Sequence, residues 1–154
     1  MSTSTKPILS RAAIAGHPVH PMLIHFPVAA LIALVATDAA YLYGGDPFWA
    51  RAGVWLAGVG ALGGWFASVA GLIDLLSVAQ IRRLITAWAH AVMAVMMLSM
   101  ATLNWQLRLG EDPGVYVMPW GMAMSLLTAF FISLAAYLGG RLVYENAVGV
   151  HTDS

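Results

Sequence analysis

The chain has 154 residues, 60% of them hydrophobic and 9% charged, with seven basic and seven acidic side chains, no formal net charge and a mean hydropathy of +0.79. That composition excludes an ordinary soluble domain, and the neutral balance leaves no electrostatic footprint for nucleic acid. Cysteine is absent, which excludes disulfides, iron–sulfur ligation, thioether-linked haem and thiol chemistry together.

Residues 1–15 start basic, but their apolar stretch is too short and broken for a cleaved signal, so they read as a tail. GHPVHPMLIHFP, from Gly16 to Pro27, then opens a helix expected over about 21–43, with Pro21 in its first turn and Pro27 removing one backbone bond. A GGDP turn, Gly44 to Pro47, separates it from a second helix over about 49–77. That helix carries Gly53, Ala57, Gly60, Gly64, Ser68 and Gly71 at spacings of three and four. Such a stripe lets another helix approach closely, within the chain or in an oligomer. A third helix over about 83–108 holds His90, LGEDPG from Leu109 to Gly114 forms a polar turn, and a fourth helix runs over about 118–145. Residues 148–154 form a second tail, and the sequence shows no convincing internal repeat.

Nearly charge-free stretches from Met22 to Tyr43, Ala52 to Ile73, Leu84 to Leu107 and Val115 to Gly140 each reach the roughly 20 residues that cross a bilayer. They lack the alternating polarity of barrel strands. The expected fold is all-α, a single bundle of four transmembrane helices over residues 16–147. If the spans alternate, Lys6, Arg11, Arg82, Arg83 and Arg141 share one face, while Arg51 and Arg108 share the other with Asp46, Glu111 and Asp112. The positive-inside rule then places both termini in the cytoplasm.

Alternation also gathers all five histidines on that basic face: His17, His20 and His25 on the first helix, His90 on the third, and His151 in the tail. Imidazole at the edge of hydrocarbon needs a partner that offsets its desolvation. One reading is a single b-type haem, or another metal, held by His25 and His90, with Arg82, Arg83 and Arg141 pairing the propionates and Asp74 orienting a ligand ring. In it, His17 and His20 are propionate-binding or alternative ligands. A second reading is a divalent transition-metal site that uses His17, His20 and His25 with His90 or Asp74. A third is a structural network in which the histidines cap helix ends, with His151 simply exposed.

Met93, Met96, Met97 and Met100 read as packing, and Trp49, Trp55, Trp105 and Trp120 as interfacial anchors. Asp38 and Asp74 are open to a proton path or to pairing with arginine, tyrosine or helix donors. Without a recognisable nucleophile or nucleotide site, an electron-transfer module fits better than an autonomous enzyme. Its partners would be the lipid bilayer and a quinone or redox protein; the other class is a non-redox scaffold or metal-handling protein.

GHPVHPMLIHFPVA, YLYGGDPFWARAGVWL, GLIDLL, AWAHAVM and GGRLVYENAVGV together resemble an uncharacterised family of predicted bacterial four-helix membrane proteins with a GHPxHPxxxHFP opening. The likeness spans Gly16 to Val150, and His17, His20, His25, Asp74 and His90 match the family's polar motif positions. It implies four spans in the bacterial cytoplasmic (inner) membrane and supplies no activity. The general plan is also similar to four-helix membrane cytochromes b, of which a single-haem version would fit the one-sided histidines.

Overall fold

Capping chemistry sets the turn between the first two helices. The computed structural model describes residues 7–150. Helix α1 (Val19–Gly44) stops where Gly45 turns left-handed, with φ of 67°, and returns its N–H to the Tyr41 carbonyl. Asp46 then caps α2 (Pro47–Ser77) by accepting from the Phe48 N–H, with Pro47 in the first turn. After the short α3 (Ala79–Arg82) come α4 (Ile85–Leu107) and α5 (Met122–Tyr144). A 3-10 turn at Pro113–Tyr116 and a π turn at Val117–Gly121 lead into α5. Met118 leaves helical geometry there, in keeping with the extended bias of a residue before proline.

Four stretches are long and apolar enough to cross a membrane: Val19–Gly44, Pro47–Ser77, Ile85–Leu107 and Pro113–Tyr144. The expected all-α bundle of four apolar helices is therefore observed. Helix α1 packs chiefly on α2, and α4 on α5; these two hairpins meet through α2 with α4 and α1 with α5. Thus α1 and α4 stand on one diagonal of the bundle.

The small-residue stripe of α2 faces this interior. Gly53, Ala57, Gly60 and Gly64 are all buried, and a Cβ at Gly60 would overlap Leu31 while one at Gly64 would overlap Leu98. Gly58 seats the indole of Trp105, whose Nε1 would lie 2.8 Å from an added Cβ. Trp105 also packs against the central cluster of Leu31, Ala61, Met97, Leu98, Ala101 and Ile132, so it is a packing residue rather than an interfacial anchor. The stripe is occupied within the chain.

A second correction concerns Arg108. Its place after the last apolar turn of α4 puts it on the loop face, yet its side chain is fully buried. It donates from Nη1 and Nη2 to the two oxygens of Asp38 at 2.6 and 2.7 Å, and from Nε to Asn104 Oδ1 at 2.9 Å. Ser125 Oγ donates to Asp38 at 2.7 Å, and Asn104 Nδ2 donates to Ser125 at 3.0 Å. Asp38 thus pairs with arginine, joining α1 to the end of α4 while α5 closes the network. Glycine makes the room: a Cβ at Gly121 would sit 2.7 Å from Arg108 Nη2.

Outside the spans, residues 8–18 form a strap rather than a loose tail. Strands β1 (Ala13–Ile14) and β2 (His17–Pro18) pair antiparallel around Ala15 and Gly16, both at positive φ. Ile8 bonds Ala147 and Gly149, and Asp74 accepts from Ser10 Oγ and from the N–H groups of Arg11 and Ala12. Lys6 and His151 lie outside the described residues.

Removing one partner of the buried pair strands a charge, whereas removing both does not. In detergent unfolding, Asp38→Asn or Arg108→Met alone is expected to cost about 3–5 kcal/mol. The double variant Asp38→Leu with Arg108→Met is expected to lose clearly less than the sum. Additive losses would show that the two side chains do not interact.

Candidate functional site

Two histidines meet across the diagonal of the bundle. His20, in the first turn of α1, places Nδ1 2.9 Å from the Ala67 carbonyl of α2. His90, on α4, places Nδ1 2.9 Å from the Ala135 carbonyl of α5. A carbonyl only accepts, so each ring carries its proton on Nδ1 and leaves the Nε2 lone pair available in the neutral form. The ring centroids are 6.2 Å apart and the planes cross at 87°.

Both rings rest in the same kind of cradle. Gly71 follows Ala67 by four residues, and an added Cβ there would meet His20 Nδ1 at 3.3 Å. Gly139 follows Ala135 by four residues, and an added Cβ would meet His90 Cε1 at 3.4 Å. In each hairpin the first helix supplies an imidazole and the second supplies a carbonyl and, one turn on, the gap into which the ring fits. The two halves therefore repeat one local arrangement despite having little sequence in common.

The remaining predicted residues are more dispersed. His25 lies five residues beyond His20, roughly 140° around the helix, is exposed, and has no hydrogen-bond or ring partner among the described residues. His17 is exposed and donates from Nδ1 to the Ala15 carbonyl in the strap. Asp74 holds the strap through Ser10, Arg11 and Ala12 instead of orienting an imidazole. Arg82 is exposed and donates to the Leu76 carbonyl at 2.7 Å, while its own carbonyl accepts from Trp88 Nε1. Arg83 is exposed and its side chain has no partner among the described residues. Arg141 forms a bidentate pair with Glu145, and this hydrogen bonding holds the Glu145 carboxyl below the usual carboxylate range.

Among the described residues no group of three or more histidine, aspartate or glutamate side chains is placed to hold a metal ion. The donor set is thus a pair of imidazoles. With metal–nitrogen bonds of about 2 Å, a centroid separation of 6.2 Å would allow His20 and His90 to hold one metal ion between them. A haem would ask no more of the protein than two such imidazoles, whereas a bare divalent ion commonly takes three or four protein donors.

Sequence reasoning missed the cradles of Ala67 with Gly71 and of Ala135 with Gly139, and it missed Arg108 as a buried group. One spacing in the sequence bears on Arg108, and none bears on the cradles. His20 to Asp38 and His90 to Arg108 are each 18 residues, about five helical turns, so each pair shares one face of its helix.

No curated protein and no solved structure matches the chain. The family described as "Predicted membrane protein (DUF2231)" matches residues 16–152, and the chain belongs to that family.

Proposed function

We propose that this chain is an electron-transfer module of the bacterial cytoplasmic membrane that holds one b-type haem between its two helical hairpins. The observation that carries this reading is the His20–His90 pair: two imidazoles on diagonal helices, both tied at Nδ1, at a separation suited to one iron. A bound haem would supply reversible one-electron chemistry at its iron.

The chain's own groups have separable tasks in this reading. The Ala67 and Ala135 carbonyls fix the tautomer and orientation of the two rings and raise their basicity as ligands. Gly71 and Gly139 keep those rings close to their helices. Arg83, whose side chain has no partner among the described residues, and Arg82, which donates to the Leu76 carbonyl, would meet the propionates in this reading, while Arg141 is engaged by Glu145. The strap pinned on Asp74 covers that end of α2 one turn beyond Gly71. His25 and His17 become peripheral, and the ligand opposite His90 becomes His20. Neither a nucleophile nor an acid–base dyad is needed, and the partner is a quinone or a redox protein.

Membrane orientation follows from charge. With Arg108 buried against Asp38, the face between α1 and α2 and between α4 and α5 retains only Arg51 as a loop-side cation, beside Asp46, Glu111 and Asp112. Arg11, Arg82 and Arg83 on the other face support a reading with both termini in the cytoplasm.

Protein purified after haem-replete expression is expected to show a Soret band and a low-spin bis-imidazole spectrum. His20→Ala and His90→Ala should abolish that spectrum, and His25→Ala should retain it. Gly71→Val and Gly139→Val, which push each ring from its carbonyl, should lower haem retention by about tenfold or more. A spectrum lost in His25→Ala and kept in His20→Ala would overturn the ligand assignment. No Soret band, with a bound divalent ion found by elemental analysis, would favour metal handling; neither would leave the scaffold reading.

The native absence of cysteine makes orientation testable in whole cells. A single cysteine at Glu111 should react with an impermeant maleimide added outside, and one at Gln80 only after the membrane is opened. The reverse pattern would invert the topology.

A further inference from the structure

Neither imidazole of the pair is tied to the opposite hairpin. His20 is bonded to Ala67 within the α1–α2 hairpin and His90 to Ala135 within the α4–α5 hairpin, so the bonds that orient the rings leave the spacing between them unset. Asp38 and Arg108 join the hairpins directly, but that contact lies about 27 Å along the axis from the rings. Besides the covalent turn through α3, what crosses between the hairpins at the histidine end is the strap. We infer that Asp74 is a positioning residue: by pinning the strap it fixes how far apart His20 and His90 stand before any cofactor is bound. The inference rests on the reading of those two rings as the ligand pair.

Two sets of contacts carry it, and the first is polar. The Asp74 carboxylate, one turn beyond the Gly71 that seats His20, accepts from the N–H groups of Arg11 and Ala12 at 2.7 and 2.9 Å and from Ser10 Oγ. The Ala12 carbonyl in turn accepts from the Val19 N–H at 2.8 Å, which satisfies the start of α1 where no side chain caps it. One carboxylate therefore fastens the strap to α2 and, through it, to the turn of α1 that carries His20. Three donors converge on Asp74 and none of them is a cation, which fits a carboxylate that gathers backbone rather than one that neutralises a charge.

The second set is apolar and reaches the other hairpin. The Ile8 N–H donates to the Ala147 carbonyl at 3.0 Å and its carbonyl accepts from the Gly149 N–H at 2.8 Å, just past α5. Ile8 and Val148 then pack on the buried cluster of Leu75, Val78, Ile81 and Ala87. Leu75 adjoins Asp74, and Ala87 lies one turn before His90 on α4. This cluster is separate from the central one around Leu31 and Leu98, so the histidine end has a core of its own, with the strap as part of it. Loss of Asp74 frees the strap on the α2 side and leaves both cradles and the Asp38–Arg108 pair in place. The hairpins then part at one end only.

The absence of cysteine allows paired spin labels in the full chain, read by double electron–electron resonance on haem-free protein in nanodiscs. One pair, at Met22 of α1 and Val92 of α4, reports the histidine end; a second, at Leu42 and Leu103 of the same helices, reports the other end, and all four positions are exposed. Asp74→Leu should widen the first distance distribution about twofold or more and leave the second unchanged. Ile8→Ser, which loosens the strap from the α5 side without altering α2, should act in the same direction, and it decides alone if Asp74→Leu does not fold. In protein titrated with haemin, both variants should turn part of a low-spin bis-imidazole spectrum into a high-spin one at constant helix content.

A first distribution as narrow in the variants as in the native chain overturns the positioning role. So does equal widening at both ends, which would make Asp74 a residue of general stability. Widening at the histidine end in a chain that takes up no haemin keeps the clasp and removes the haem reading, whereas an unchanged distance with a normal bis-imidazole spectrum in Asp74→Leu keeps the haem and removes the clasp.

Discussion

A guanidinium cannot remain inside a hydrocarbon-facing bundle without a counter-charge and a full set of acceptors, and the placement of Arg108 against Asp38 answers that constraint. The pair is fully buried and bidentate, with Asn104 taking Nε and Ser125 bonding the carboxylate. Because Asp38 belongs to α1 and Arg108 to the end of α4, the requirement brings together helices that otherwise touch little. Gly53 and Gly121 can be nothing larger without displacing the guanidinium or its surroundings. The packing of α2 and α5 on this diagonal follows from the same need.

The opposite end of the diagonal is closed by the imidazoles. Each lies 18 residues before its charged counterpart, about 27 Å along the axis, so one pair of helix faces carries a polar contact near each edge of the hydrocarbon. Leu31, Leu34, Met97, Leu98 and Ile132 fill the length between them. This apolar middle separates two polar regions of different character. The charged one is satisfied by protein groups alone, whereas the imidazole one keeps a lone pair on each ring that the described residues do not use. That difference is why the proposed site lies at the histidine end.

Much of this was legible in the residues. The all-α class and the number of spans followed from hydropathy, with proline and glycine marking the turns between helices. The GGDP turn encodes its own stop and start, a left-handed glycine followed by a capping aspartate and a first-turn proline. What did not follow was the angular position of each side chain. His25 and His20 differ by roughly 140° around α1, and proline near a helix start blurs the phase enough to hide which one turns inward. Arg108 was hidden because a long side chain at a helix end can extend into a loop or fold back, and only the position of Asp38 decides. The strap was invisible because its anchors, Asp74 and Val148, are distant in sequence and hold it chiefly through backbone groups.

The state of the two rings carries the central claim, and it can be read without assuming any cofactor. Nitrogen-15 NMR of haem-free protein labelled at histidine, assigned by single substitutions, distinguishes protons on Nδ1 from protons on Nε2. The predicted result is an Nδ1–H tautomer for both His20 and His90, with the Nε2 shift of an unprotonated nitrogen, while His25 shows the averaged signals of an exposed ring. An Nε2–H tautomer at either His20 or His90 would contradict the carbonyl cradles and, with them, the pair as a ligand site.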